Sequence, residues 1–226
     1  MALPLEGVKI LDLSTMLPGP FCSMILADFG AEVIKVEAVK GGDLFRGGVP
    51  KIGDTGGAFF QVNRNKKSIT LNLKSDEGKE IFYKLAKDAD VVLEQYRPGV
   101  VKKLGVDYET IKAINPKIVY CSLSGYGQTG PYRLTSGHDL NYISYAGILG
   151  LTARKGQTPT IPGVQIADIG GGGRTVGGDR HPHRSHGREA QRCRPVCRYI
   201  DARRRCLVAA CACKRLFRKG RVSQGG

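Results

Sequence analysis

The first 173 residues of this 226-residue chain hold one histidine, His138, and thirty residues after it stands Asp168. His138 opens the segment Gly137-His-Asp-Leu-Asn-Tyr142 at the end of a polar stretch. Asp168 lies in Ile166-Ala-Asp-Ile-Gly170, which reads as a strand end leading into a glycine run. A histidine and a carboxylate can flank one carbon and pass a proton across it. Glycines following the carboxylate would let backbone N–H groups approach a developing oxyanion. Each residue also has a plainer reading. A lone histidine is commonly a hydrogen-bonded structural residue, and an aspartate at such a position commonly caps a helix.

These two side chains need a scaffold, and the chain up to residue 173 spells one. Residues 8–13 read as a short apolar strand with Asp12 embedded. Leu17-Pro-Gly-Pro20 breaks the chain, and residues 21–29 read as a helix ended by Gly30. Residues 32–37 place Val33, Ile34 and Val36 in a second strand. Strand, turn, helix, strand is a βαβ unit and implies a parallel sheet. Residues 40–57 are polar and glycine-rich and read as a long loop. A strand is expected at 68–73, then a helix capped by Ser75 with Ile81, Phe82, Leu85 and Ala89 on one face. Further strands are expected at 91–94 and 118–122, with a helix at 108–114 between them. A polar loop over 124–137 and a helix over 139–149 follow. The fold class is therefore α/β: an open, mostly parallel, nucleotide-binding-like sheet with helices on both faces. Ligands of such sheets sit at the carboxyl ends of the strands. No G-x-G-x-x-G or G-x4-G-K-[ST] motif occurs in a strand–turn–helix context, and the glycines of 170–173 alone are a weak phosphate signal.

Residues 174–226 are of another kind. The first 173 residues carry 15 Lys and 5 Arg against 17 acids, net +3, whereas the last 53 carry 2 Lys and 13 Arg against 3 acids, net +12. Most of the formal +15 thus belongs to a tail without apolar periodicity. Such a composition is what a GC-rich gene yields when read out of frame. Synonymous codons for 195–203, shifted by one base, allow Gln-Phe-Val-Asp-Ile-Ser-Met-Leu-Asp. The same shift on 174–184 allows Ala-Leu-Trp-Ala-Val-Ile-Gly-Ile-Leu-Ile-Ala, an apolar helix. The tail is therefore expected to be an aberrant, disordered segment created by a frameshift near Gly173. The competing reading is a nucleic-acid or metal-binding module. Arg203-Arg204-Arg205 would give phosphate affinity without sequence readout. Cys193-x3-Cys197 and Cys211-x-Cys213, with His181, His183 and His186, resemble zinc ligands only superficially, because the second spacing is too tight and no strand or helix frames them. No metal site and no nucleic-acid partner are expected.

The start of the chain has no basic and apolar leader pattern, and no stretch approaches the roughly 20 apolar residues of a membrane span. Cys22 and Cys121 are expected to be reduced core thiols, so a cytoplasmic location is expected.

The motifs also carry a resemblance. Leu5-Glu-Gly-Val-Lys-Ile-Leu-Asp-Leu13, Pro18-Gly-Pro20, Leu26-Ala-Asp-Phe-Gly-Ala-Glu-Val-Ile-Lys-Val-Glu37, Asn65-Lys-Lys-Ser-Ile69, Tyr96-Arg-Pro-Gly99 and Ser124-Gly-Tyr-Gly-Gln-Thr-Gly-Pro131 together resemble the class III CoA-transferase family over residues 4–173. The shifted-frame Gln-Phe-Val-Asp-Ile-Ser-Met-Leu-Asp resembles that family's next block. The resemblance implies an acyl-CoA enzyme without a metal, an intertwined homodimer with shared active sites, and a CoA-binding domain at 1–173 that is one part of a longer parent.

Two chemistries compete within the resemblance. Transferases of this class use an aspartate nucleophile, through acyl-anhydride and aspartyl-CoA thioester intermediates, and Asp168 falls at the matching position. Racemases exchange the α-proton of a 2-methylacyl-CoA through an enolate with a His/Asp pair. The Gly137-His-Asp-Leu-Asn-Tyr142 segment resembles the racemase pattern, so His138 tips the expectation toward racemisation, with the helix start after Gly171 as the enolate's hydrogen-bond donor. For coenzyme A, Arg97 matches a family position near the CoA moiety, and Arg suits bidentate phosphate recognition. Lys103, Arg64, Lys66 and Lys67 are further candidates for phosphate contact. The family often has Pro and a basic residue soon after the strand ending at Glu37, where this chain has Ala38-Val39-Lys40.

Overall fold

The computed structural model describes residues 3–176. The tail expectations fall on residues 174–226, nearly all outside the described residues. Five parallel strands make the central sheet: β1 (Lys9–Asp12), β2 (Glu32–Glu37), β5 (Lys66–Thr70), β6 (Val91–Glu94) and β7 (Val119–Ser122), in the order β5-β2-β1-β6-β7. A two-stranded antiparallel hairpin, β3 (Lys51–Ile52) with β4 (Thr55–Gly56), stands apart. The helices are α1 (Pro18–Asp28), α2 (Gly57–Asn63), α3 (Asp76–Lys87), α4 (Val100–Lys103), α5 (Tyr108–Ile114), α6 (Asp139–Tyr145) and α7 (Ile166–Val176), with 3-10 turns at Leu44–Gly47 and Leu149–Thr152.

Strand alternation divides the sheet into two faces. Leu11, Leu13, Val36, Val92 and Tyr120 turn toward α3 and α5 and form one apolar cluster with Phe82, Ala86 and Ile111. Ile10 and Val33 turn the other way, onto Ala27 of α1 and Ala31 just after it, and Leu93 and Cys121 meet Cys22 of the same helix. Helices thus cover both faces, as parallel strands require. Ser75 caps α3 by accepting the Gly78 N–H at 3.2 Å, as its sequence predicts.

Several expectations need correction. Helix α1 begins at Pro18 rather than residue 21, because a proline in the first turn needs no N–H partner and is already set to helical φ. The stretch read as one long loop contains a 3-10 turn and the β3–β4 hairpin, and α2 starts at its end. The third strand of the sheet is Lys66–Thr70 rather than 68–73, because the chain reverses at Asn65 (φ 61°) and enters the sheet there. In α3, Ile81 is 42% exposed, and Ala89 lies past the helix end. The helix expected over 139–149 stops at Tyr145, before Gly147 (φ 74°). Asp168 is not at a strand end. It sits in the first turn of α7, and Gly170–Gly173 are helical.

The face under α1 holds a buried ionic cluster that sequence reasoning did not find. Lys35 Nζ pairs with Asp43 Oδ2 at 2.9 Å and donates to the Ser14 carbonyl at 2.7 Å. Lys66 Nζ lies 3.3 Å from Asp12 Oδ2 and donates to the Pro20 carbonyl and Asn63 Oδ1, each at 2.9 Å. Asp12 also accepts from Ser14 and from the Ser23 hydroxyl. Glu37 takes two bonds from Arg46, at 2.6 and 2.8 Å, and one from Ser68. Burial raises the Asp12 carboxyl pKa, but the Lys66 and Lys35 ammoniums and the two serine hydroxyls outweigh it and bring it below the ordinary value. Burial likewise raises Glu37, and Arg46, Ser68 and the Asp43 N–H more than offset it, down to about 2. For Lys66 burial wins over Asp12, and its pKa falls to about 8.

Candidate active site

A cavity of 640 Å³ opens at the carboxyl ends of β1, β6 and β7. The connection from β1 runs to β2 on one side, while β6 and β7 lie on the other. This divergence is where open α/β sheets bind ligands. Met16–Pro18 after β1, Gln95–Pro98 after β6 and Ser124–Tyr126 after β7 form its floor and walls. Arg133, residues 135–139, Leu140, Tyr142 and Ile143 of α6, and Asp168 of α7 add to it.

The wall is held from beneath. Asp43 in the ionic cluster accepts the Met16 N–H at 3.1 Å, fixing a non-glycine residue at φ 63°. Gln95 ties two loops together: its Nε2 donates to the Thr15 carbonyl at 2.6 Å, and its Oε1 accepts the Gly19 N–H at 2.9 Å. Gly125 has a steric role, since a Cβ there would come within 2.3 Å of the Tyr142 ring. Glu94, 1% exposed at the end of β6, accepts the Tyr96 N–H at 2.8 Å. Burial pushes its pKa up to about 7, against the bonds from Ser122 and the Tyr96 backbone.

His138 and Asp168, thirty residues apart, line this one cavity. His138 is the N-cap residue of α6. Its backbone N–H donates to Asn141 Oδ1 at 3.0 Å and its carbonyl accepts from Asn141 and Tyr142, while the residue remains exposed. Asp168 is half-buried in the first turn of α7. The link between the two is Asp139, next to His138. Its Oδ1 accepts the backbone N–H groups of Ala167 at 2.6 Å and Asp168 at 2.9 Å. The helix start expected after Gly171 as an oxyanion donor is therefore elsewhere: α7 starts at Ile166, and two N–H groups of its first turn already bond Asp139.

Of the five cations expected to contact CoA, Arg97 alone lines the cavity. Lys66 is 2% exposed and committed to Asp12. Arg64 forms a bidentate pair with Asp28, at 2.5 and 3.1 Å. Lys67 pairs with Glu32 at 2.6 Å. Lys103 is exposed on α4, outside the lining. The cavity adds an unforeseen cation, Arg133. Sequence reasoning also missed Gln95 and Asp139. Asp139 was open to discovery, as an acid in the first turn of an expected helix beside His138, whereas nothing near Gln95 in sequence foretells its bridge to Thr15. Among the described residues there is no His/Cys/Asp/Glu group able to hold a metal ion, and no helix is long and apolar enough to cross a membrane. Neither Cys22 nor Cys121 is in a disulfide, and both are buried.

A base and a carboxylate on one cavity can exchange a proton at a substrate carbon, and the same carboxylate can attack an activated acyl group. The comparisons carry both chemistries. A human protein named succinyl-CoA:glutarate CoA-transferase is 46% identical over 170 residues, which are 75% of this chain and 39% of that protein. A mouse alpha-methylacyl-CoA racemase is 41% identical over 169 residues, 75% of this chain and 40% of that protein. The crystal structure of a CAIB/BAIF family protein from Brucella suis superposes with a TM-score of 0.74 at 39% identity, covering 78% of this chain and 48% of that one. The chain thus spans about two-fifths of the length of these curated relatives. Residues 5–178 match CoA-transferase family III, and the chain belongs to that family.

Proposed function

We propose that the protein to which this chain belongs moves the α-proton of a 2-methylacyl-CoA thioester and so interconverts its two configurations. The observation that supports this is the meeting of His138 and Asp168 on one cavity. One group removes the proton from one face of the α-carbon, leaving an enolate. The other returns a proton to the opposite face, and the roles exchange for the opposite enantiomer. Arg97, at the same cavity, would pair with a phosphate of CoA, and the apolar side chains of Leu140, Ile143 and Val164 would face the acyl chain. The test is α-proton exchange in D2O. His138→Ala is expected to abolish exchange from one enantiomer and Asp168→Ala from the other. Exchange unaffected by either substitution would overturn the assignment.

A second reading, transfer of CoA between carboxylic acids through an acylated Asp168, draws support from the relatives named as transferases, which reach 46% identity against 41% for a named racemase. Under it, exchange is absent and hydroxylamine traps an acyl group on Asp168.

The proposal extends to the rest of the protein. The working enzyme is a cytoplasmic homodimer, testable by sedimentation and fractionation. Residues 174–226 are a frameshifted reading of the gene, testable by sequencing the DNA across the codons for 165–184.

A further inference from the structure

Two groups that act on opposite faces of one carbon must be held at a fixed separation, and one carboxylate is placed to set it. Asp139 is the first residue of α6, directly after His138, and its Oδ1 accepts the N–H groups of both Ala167 and Asp168 in the first turn of α7. We propose that Asp139 is the positioning residue of this site: it ties the turn that carries Asp168 to the helix start that carries His138. The proposal rests on the assignment of those two residues to chemistry made above.

Helix physics explains why the tie falls here. The first N–H groups of a helix have no partner within it, and negative charge is favoured beside them. Asp139 stands in the first turn of α6 and against the first turn of α7, so one carboxylate serves two helix starts. Helix α7 also needs outside support. Gly170–Gly173 occupy its middle, and each glycine weakens a helix relative to alanine. A first turn followed by four glycines is weakly held by its own helix. Without Asp139 the backbone at Asp168 loses its two bonds to α6, and a displacement of about 1 Å is enough to slow a positioned reaction about 100-fold.

Asp139→Ala removes the acceptor, whereas Asp139→Asn keeps an Oδ1 and removes only the charge. Exchange of the α-proton in D2O is measured separately for each enantiomer of a 2-methylacyl-CoA. The alanine variant is expected to slow exchange about 100-fold for the enantiomer that depends on Asp168, and much less for the one that depends on His138. The asparagine variant is expected to stay within about tenfold of the parent. Equal slowing of both enantiomers, or an asparagine variant no better than alanine, would overturn the proposal. If the parent chain exchanges neither enantiomer, the functional reading fails on its own, and amide hydrogen exchange decides the positioning role. Faster exchange at Ala167 and Asp168 in Asp139→Ala, with protection kept in Asp139→Asn and unchanged in α3, supports it. Equal rates at those two amides in all three proteins reject it.

Discussion

Two charged regions lie at the carboxyl end of the same sheet, and they use charge in opposite ways. Beneath α1, Asp12, Glu37 and Asp43 meet Lys35, Arg46 and Lys66 in a closed cluster, with Asp12 and Asp43 fully buried. In the neighbouring cavity, Arg97, Arg133 and His138 are exposed, and Asp139 spends its carboxylate on backbone N–H groups. The closed region supports the open one: Asp43 holds Met16 in place, and Lys35 holds Ser14. A cation near the end of a strand thus signals a ligand only when no carboxylate on the same face has already claimed it.

The largest test of this contrast is Asp12→Ala. It leaves Lys66 buried without its counter-ion, and breaking a buried pair in this way costs about 3–5 kcal/mol. Chemical denaturation is expected to show that loss, whereas Asp168→Ala at the cavity is expected to lose activity and less than about 1 kcal/mol of stability. Similar losses in the two variants would erase the distinction.

Glu94, buried at the end of β6, adds a pH dependence. Burial pushes its pKa up to about 7 from the ordinary 4.5, so the folded protein binds the extra proton between these pH values. Stability from this group is present below pH 4.5 and lost as pH rises to about 7. Glu94→Gln is expected to flatten that slope and to raise stability at pH 8 by roughly 3 kcal/mol. Glu37 runs the other way. With its pKa at about 2, it contributes above pH 4.5 and ceases to as pH falls toward 2. An acid melt of Arg46→Met that remains as steep as the parent's would show that this pair is not the cause.

Smaller effects separate binding from folding. Arg97→Met is expected to weaken binding of free CoA about tenfold, roughly 1.4 kcal/mol, without changing the melting temperature. Lys66→Met is expected to do the reverse. The smallest effect is expected at Arg64, whose pair with Asp28 is half-exposed: Arg64→Ala should leave stability within about 0.5 kcal/mol and CoA affinity unchanged, by calorimetry of both.

Local patterns made the fold largely readable. The 91–94 strand and the 108–114 helix are where a short apolar run and helical periodicity put them, and Ser75 announced α3 three residues before its first bond. Elements without such signals were lost: α2 begins on Gly56-Gly57, α4 is a single turn, and Pro18 reads as a breaker although it opens α1. The site was half legible. His138, Asp168 and Arg97 stood out by type and context, and all three line the cavity.

By itself, then, the sequence determined the βαβ order, the faces of the main strands and the residue types able to do chemistry, because these depend on neighbours within a few positions. Tertiary structure alone decided which charges would be consumed. Lys66 and Asp12 stand 54 positions apart, Gln95 and Thr15 80, Asp139 and Asp168 29. A side chain's partner is set by strand order and register, and those emerge only when the sheet closes and water leaves.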